Sequence, residues 1–149
     1  MVLKIHRIAH WLHLRGVPLL PWMLRALNRI VFSVVLPPAT RIGKGVTLAY
    51  EGLGTVIHRA AVIGDNVYIG SGVTIGGRSG HPDVAVIEEG AMIGTGAKIL
   101  GPVRIGRYAS IGANSVVLAD VPAFAVAVGA PAKVVRINRE EDIPTYIKQ

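Results

Sequence analysis

The sequence predicts an all-β solenoid, a parallel β-helix of six-residue repeats behind a short N-terminal helical segment. Three observations carry that expectation. A branched apolar residue recurs at every sixth position, through Ile57, Ile63, Ile69 and Ile75 and again through Ile87, Ile93, Ile99, Ile105, Ile111 and Val117. Glycine follows that residue at 64, 70, 76, 94, 106 and 112, and the position four past it is small or branched, as at Ala61, Val67, Val73, Ala91, Ala97, Val103, Ala109 and Ser115. Aromatic residues make up only 5% of a chain that is 51% hydrophobic, so the interior is too narrow for large rings. Neither the 3.6-residue helical period nor the two-residue strand period produces a strict six. Each unit therefore forms one short face, its branched residue fills the inside, and glycine lets the backbone turn the corner. Three units make one coil.

Taken in order, residues 1–35 read as a helical cap, 36–135 as the coil and 136–149 as a tail. The cap holds two apolar segments, Ile5 to Leu14 and Met23 to Val35, separated by Gly16, Pro18 and Pro21, which predicts two short helices closing the open end of the solenoid. Its basic residues leave a second expectation, peripheral contact with a membrane surface. A shorter register, Leu36, Ile42 and Leu48, starts the coil. Two breaks interrupt it, and breaks in a solenoid are where function tends to be placed. Over residues 49–56 the phase slips by three, and over 76–86 two glycines and a proline predict a loop leaving the coil. Because Ile57 and Ile75 lie 18 positions apart, His58 is expected one coil from Gly76, at the corner from which that loop departs.

The net charge of +7 comes from Lys4, Arg7, Arg15, Arg25, Arg29, Arg41 and Lys44, all of which precede the first acidic residue, Glu51. No nucleic-acid-binding motif or stacking aromatic accompanies them, so nucleic acid is not expected as a partner. Arg25 and Arg29 interrupt the best apolar run, which excludes a spanning helix, and no cleavable leader is recognised. The absence of cysteine excludes a disulfide framework, a thiolate metal site and a cysteine nucleophile, and it fits a cytoplasmic location, extended to the inner face of the membrane if the cap makes contact there. His6, His10 and His13 have helical spacing but no further ligand, so no metal is expected.

Candidate chemistry centres on His58 and His81, the two histidines of the repeat region. Histidine is the natural base near neutral pH. Several stretches resemble the hexapeptide-repeat, left-handed β-helix acyltransferases, and most of all their serine acetyltransferase branch. They are His6-Arg7-Ile8 with Trp11-Leu12, 61–67, 72–77, Ile93 to Gly101 and the closing Val128-Gly129-Ala130-Pro131-Ala132-Lys133-Val134-Val135. The resemblance implies a left-handed coil, a homotrimer, and acetyl-CoA as acyl donor along the coil edge between two subunits. It places the small residues Gly94, Gly96, Ala97, Gly112 and Ala113 along the pantetheine arm, with Lys133 and Arg136 at the nucleotide phosphates.

The sequence also departs from that pattern. Where the family carries an Asp-His pair before its next inward segment, this chain reads Ala49-Tyr50, and the aspartate preceding the first repeat is replaced by Val35. Gly80-His81-Pro82 matches the family's loop but is separated from Ile87 by four further residues. The donor half of the site is thus kept and the acceptor half rebuilt. The segment Gly52 to His58 resembles short acetyltransferases of bacterial exopolysaccharide or other glycan synthesis, which implies a sugar hydroxyl as acceptor, with Tyr50 and Glu51 contacting the sugar or orienting a histidine. The expected activity is O-acetyl transfer with His58, together with His81, as base. The alternatives are L-serine as acceptor and a non-enzymatic solenoid scaffold.

Overall fold

The computed structural model describes residues 1–143; the rest of the expected tail, residues 144–149, lies outside the described residues. The chain opens with two antiparallel helices, α1 (Val2–Leu14) and α2 (Leu20–Phe32), and then winds into a parallel β-solenoid. The first face consists of β1 (Arg41–Ile42), β4 (Val62–Ile63), β7 (Val86–Ile87) and β10 (Arg104–Ile105), paired in that order. The second runs β2 (Thr47–Leu48), β5 (Tyr68–Ile69), β8 (Met92–Ile93) and β11 (Ser110–Ile111), and the third β3 (Val56–Ile57), β6 (Thr74–Gly76), β9 (Lys98–Leu100) and β12 (Val116–Val117). The chain visits the faces in rotation, so each strand pairs with the one a coil later.

The predicted inward residues all line the interior. Ile57, Ile69, Ile75, Ile87, Ile93, Ile99 and Ile105 are at most 1% exposed, and the small partners Val67, Val73, Ala91, Ala97 and Ala109 are fully buried. Stacking explains the corner glycines. A Cβ on Gly94 would stand 2.6 Å from the Ala113 nitrogen, and one on Gly70 2.5 Å from that of Thr95, both inside van der Waals contact with the next coil.

Register measures the breaks. Ile57 pairs with Ile75 one plain coil away, whereas Leu48 pairs with Ile69, three residues further than a plain coil, and Ile75 pairs with Ile99, six further. The three extra residues are taken up in a single four-residue turn, Ala49–Gly52, in which Tyr50, Glu51 and Gly52 all take positive φ. The six extra residues form the excursion after β6. Its tip is a tight turn, with the His81 N–H bonded to the Arg78 carbonyl at 3.0 Å and Gly80 at φ +84°.

At the far end the coil closes differently from its body. β13 (Ala125–Gly129) joins the second face beside β11 and then turns back through Ala130-Pro131 into antiparallel β14 (Ala132–Ile137). That hairpin is not legible in the six-residue period, because it leaves the repeat.

The helix pair is tied to the first coil by polar contacts. Glu51 receives the Val2 N–H at 2.9 Å and the Met1 ammonium at 2.5 Å. His6, 2% exposed, donates through Nε2 to the Thr40 carbonyl, and His10 donates through Nδ1 to that of Pro38. Burial holds the His6 pKa down to about 4, with a smaller opposing effect from the bond to Thr40. His6 and His10 of α1 are thus anchors between helix and coil.

Candidate functional site

The rotation of faces decides which candidate residues can meet. Tyr50 and Glu51 lie on the edge between the second and third faces, in line with Gly94, Gly96, Gly112 and Ala113 on later coils. His58 lies on the next edge, between the third and first faces, and its N–H bonds the Ile75 carbonyl at 2.8 Å. The excursion carrying His81 leaves the same edge one coil further on, directly after Gly76, as the 18-residue spacing required. The two histidines therefore share one edge and the donor-side residues another. One six-residue unit of chain lies between corresponding corners. Among the described residues no hydrogen bond or ring contact joins His58 to His81, or either of them to Tyr50.

Each residue has distinct surroundings. Tyr50 is 81% exposed. Glu51 is engaged at the start of α1, and its bonds to the terminal ammonium and to the Val2 N–H hold its carboxyl below the usual range. That contact gives Glu51 a structural task at the helix N-terminus, where a carboxylate meets unsatisfied N–H groups. Ala97, expected along the donor, is instead fully buried, with its N–H bonded to the Gly94 carbonyl and its carbonyl accepting the Thr74 N–H, so it fills the coil and presents nothing to a ligand. Gly112 sits against the Val128 side chain, and the Gly129 N–H bonds Ser115 Oγ at 3.0 Å, so the β13–β14 hairpin leans over this edge. Lys133, opposite Val128, is exposed there, and Arg136 is exposed further along β14.

The ring nitrogens of His58 are not equivalent. Its Nδ1 accepts the Ala60 N–H at 3.1 Å, so in the neutral imidazole the proton resides on Nε2, which faces outward as a donor. The described hydrogen bonds of His81 are made by its backbone, and they leave its ring nitrogens open.

Beside His58 the third face and α2 enclose a groove of about 280 Å³ lined by Trp22, Arg25, Val35, Val56, His58 and Arg59. Arg25 Nε is buried there without a hydrogen-bond partner among the described residues, and its guanidinium stands 5.5 Å from the Trp22 ring. Trp22, Arg25 and Arg59 were not among the candidate site residues. Periodicity assigns Trp22 and Arg25 to a cap, and only the packing of α2 against the first coil brings them beside the histidine.

Residues 85–119 match the family described as bacterial transferase hexapeptide (six repeats). Over these residues the six-residue repeat of the coil is the repeat of that family. The coil and helix pair are 41% identical to a serine acetyltransferase of Synechococcus elongatus, over 89% of this chain and 55% of that one. They are 44% identical to the Escherichia coli K12 serine acetyltransferase, over 89% and 49% of the two chains. Among solved structures, serine acetyltransferase from Neisseria gonorrhoeae superposes with a TM-score of 0.87 at 42% identity, covering 93% of this chain and 54% of that one. The Brucella abortus serine acetyltransferase in complex with coenzyme A gives 0.86 at 37% identity, covering 89% and 54%. The chain thus spans about half the length of the curated relatives it matches. These relatives lend no support to the expected likeness to glycan O-acetyltransferases.

Proposed function

We propose that this chain is an acetyl-CoA-dependent O-acetyltransferase acting on a hydroxyl acceptor. The observation that carries the reading is its likeness, at 37% identity over 89% of the chain, to a serine acetyltransferase that holds coenzyme A. The relatives support L-serine as acceptor over a sugar. The sugar reading keeps two observations of its own. The Ala49-Tyr50 pair stands where the resemblance calls for Asp-His, and a Trp22-walled groove opens beside His58.

In the proposed reaction His81 takes the proton of the acceptor hydroxyl, and the oxygen attacks the thioester carbonyl carbon. The carbonyl electrons move onto oxygen, and the tetrahedral intermediate collapses with the CoA thiolate as leaving group, which recovers the proton from the imidazolium. His58, with its proton on Nε2, serves as a donor toward the acceptor or the oxyanion. Gly94, Gly96, Gly112 and Ala113 let the pantetheine arm approach the backbone, and Lys133 and Arg136 meet the phosphates.

Donor edge and histidine edge belong to different corners of one chain, so a complete site calls for a neighbouring copy that sets its edge against the other's corner. Three copies close such a contact into a ring, which is the homotrimer that the resemblance implies.

The test is thiol release from acetyl-CoA by the full chain, with L-serine compared against a panel of mono- and oligosaccharides. Release with L-serine at saturating donor supports the serine reading, release with sugars alone supports the sugar reading, and release with neither overturns both. His81→Ala is expected to lower kcat by roughly 10²–10⁴-fold with the assembly intact. Full activity in that variant, with loss in His58→Ala, would move the base to His58.

A further inference from the structure

The groove beside His58 carries positive charge that the molecule itself does not answer. Trp22 and Arg25 stand about one helical turn apart on α2, and Arg59 follows His58 at the corner of the coil. Among the described residues neither guanidinium takes part in a hydrogen bond or an ion pair, and no Asp or Glu lines the groove. Arg25 Nε is buried and unbonded, whereas its two terminal nitrogens are unbonded without being buried. They are the part of the side chain open to the groove. The remaining walls, Val35, Pro37 and Val56 beside the Trp22 ring, are apolar.

A cleft lined by one sign of charge and walled by apolar groups focuses its field on a ligand of the opposite sign. The guanidinium fork matches the paired oxygens of a carboxylate or a phosphate. The Trp22 ring, 5.5 Å from the Arg25 guanidinium, favours one placement of that fork. His58 adds a further donor, since its Nε2 proton faces outward at the same place. The groove also has a fixed position relative to the excursion. The His58 N–H bonds the Ile75 carbonyl, and the loop carrying His81 leaves the coil directly after Gly76. A molecule held in the groove therefore lies against the edge from which that loop rises. The acyl-transfer reading gives the donor phosphates to Lys133 and Arg136 at the far end of the coil, so this second cationic set falls to the acceptor.

We propose that the groove holds an anionic group of the acceptor, a carboxylate or a phosphate, with Arg25 and Arg59 as the residues that select it. The inference rests on the acyl-transfer reading above: the charge of the acceptor lies against α2 and its hydroxyl toward the His81 loop. The helix pair then takes part in the choice of acceptor as well as closing the coil.

The experiment joins a binding titration to a kinetic comparison. In the full chain carrying Trp11→Phe, emission comes from Trp22 alone, and titration with sodium phosphate or sodium acetate at constant ionic strength should give a saturating change. The anion that saturates at the lower concentration separates phosphate from carboxylate. Added to that background, Arg25→Gln and Arg59→Gln should each weaken the apparent affinity roughly tenfold or more. Arg29→Gln, which removes an exposed cation of α2 outside the groove, should leave it unchanged. Thiol release from acetyl-CoA is then compared within pairs that differ in charge: L-serine against L-serinamide, glucuronate against glucose, and glucose 1-phosphate against glucose. The anionic member of an active pair should have a kcat/KM higher by roughly tenfold or more, and Arg25→Gln should remove that preference through KM rather than kcat. Arg59, exposed at its corner, supplies the same test through Arg59→Gln if Arg25→Gln does not fold. A response that does not saturate, one that survives both variants, or equal kcat/KM within every active pair overturns the proposal and leaves the acyl-transfer reading standing. Thiol release with no member of any pair overturns that reading, and this proposal with it.

Discussion

The coil and the helix pair solve the problem of burial in opposite ways. Inside the coil every inward position is apolar or small, and each unit is covered by the units one coil before and after it. In the helix pair the groups that face inward include a histidine and an asparagine, and much of the apolar surface faces out. A repeat stabilises itself by translation, since each layer presents the next with the same surface. A single pair of helices has no such partner: Val2, Leu3 and Phe32 reach the end of the coil's core, and directed hydrogen bonds around His6, His10 and Glu51 complete the attachment.

That contrast can be broken at either end. The largest effect is expected in the coil. Ile75→Ala removes a fully buried side chain whose neighbours cannot collapse without losing register, and should cost roughly 2–5 kcal/mol, measured as the shift in urea midpoint at unchanged slope.

In the helix pair the corresponding weakness is pH. The His6 pKa is about 4 in the folded chain against an ordinary 6.5, so the unfolded state binds the extra proton first. Stability present above about pH 6.5 is lost as the pH falls toward about 4, by an amount on the order of 3 kcal/mol. Tryptophan emission followed through an acid titration should report loosening of the helices, and His6→Gln should flatten that dependence. An unchanged pH profile in the variant would assign the effect to another group.

Gly94→Ala sharpens the comparison within the coil, because the new methyl meets backbone rather than a yielding side chain; an expected loss of about 1–3 kcal/mol is readable as a lower thermal midpoint. The smallest effect belongs to the exposed Arg104–Glu88 pair, 2.5 Å apart with the arginine side chain 61% exposed. Arg104→Ala should change stability by about 0.5 kcal/mol, less in high salt. A loss as large as that of Ile75→Ala would mean that the outer faces contribute to the coil as much as its interior.

The parts of the site differed in legibility for a related reason. The excursion and the phase slip showed as gaps in a regular count, and His58 followed from an 18-residue spacing. The placement of Tyr50 and Glu51 on a different edge from the histidines was equally encoded, but it required tracking faces in rotation through an irregular turn. Arg25 and Trp22 offered no such signal, because a helix in a cap can be turned toward the coil in many ways without changing its period. The position of the His58 proton depends on one bond from the Ala60 N–H, a consequence of corner geometry.

By itself the sequence determined the six-residue coil, its interior, its two interruptions and the separation of a basic cap from a neutral body. It could do so because a solenoid is held by contacts repeated at fixed chain separation, so the pattern of burial is written directly into the residue count. Only the tertiary structure decided which candidate residues share an edge and which side of α2 meets water. Those outcomes depend on where a turn of three extra residues leaves the chain and on which neighbour a helix finds, and no local period records either.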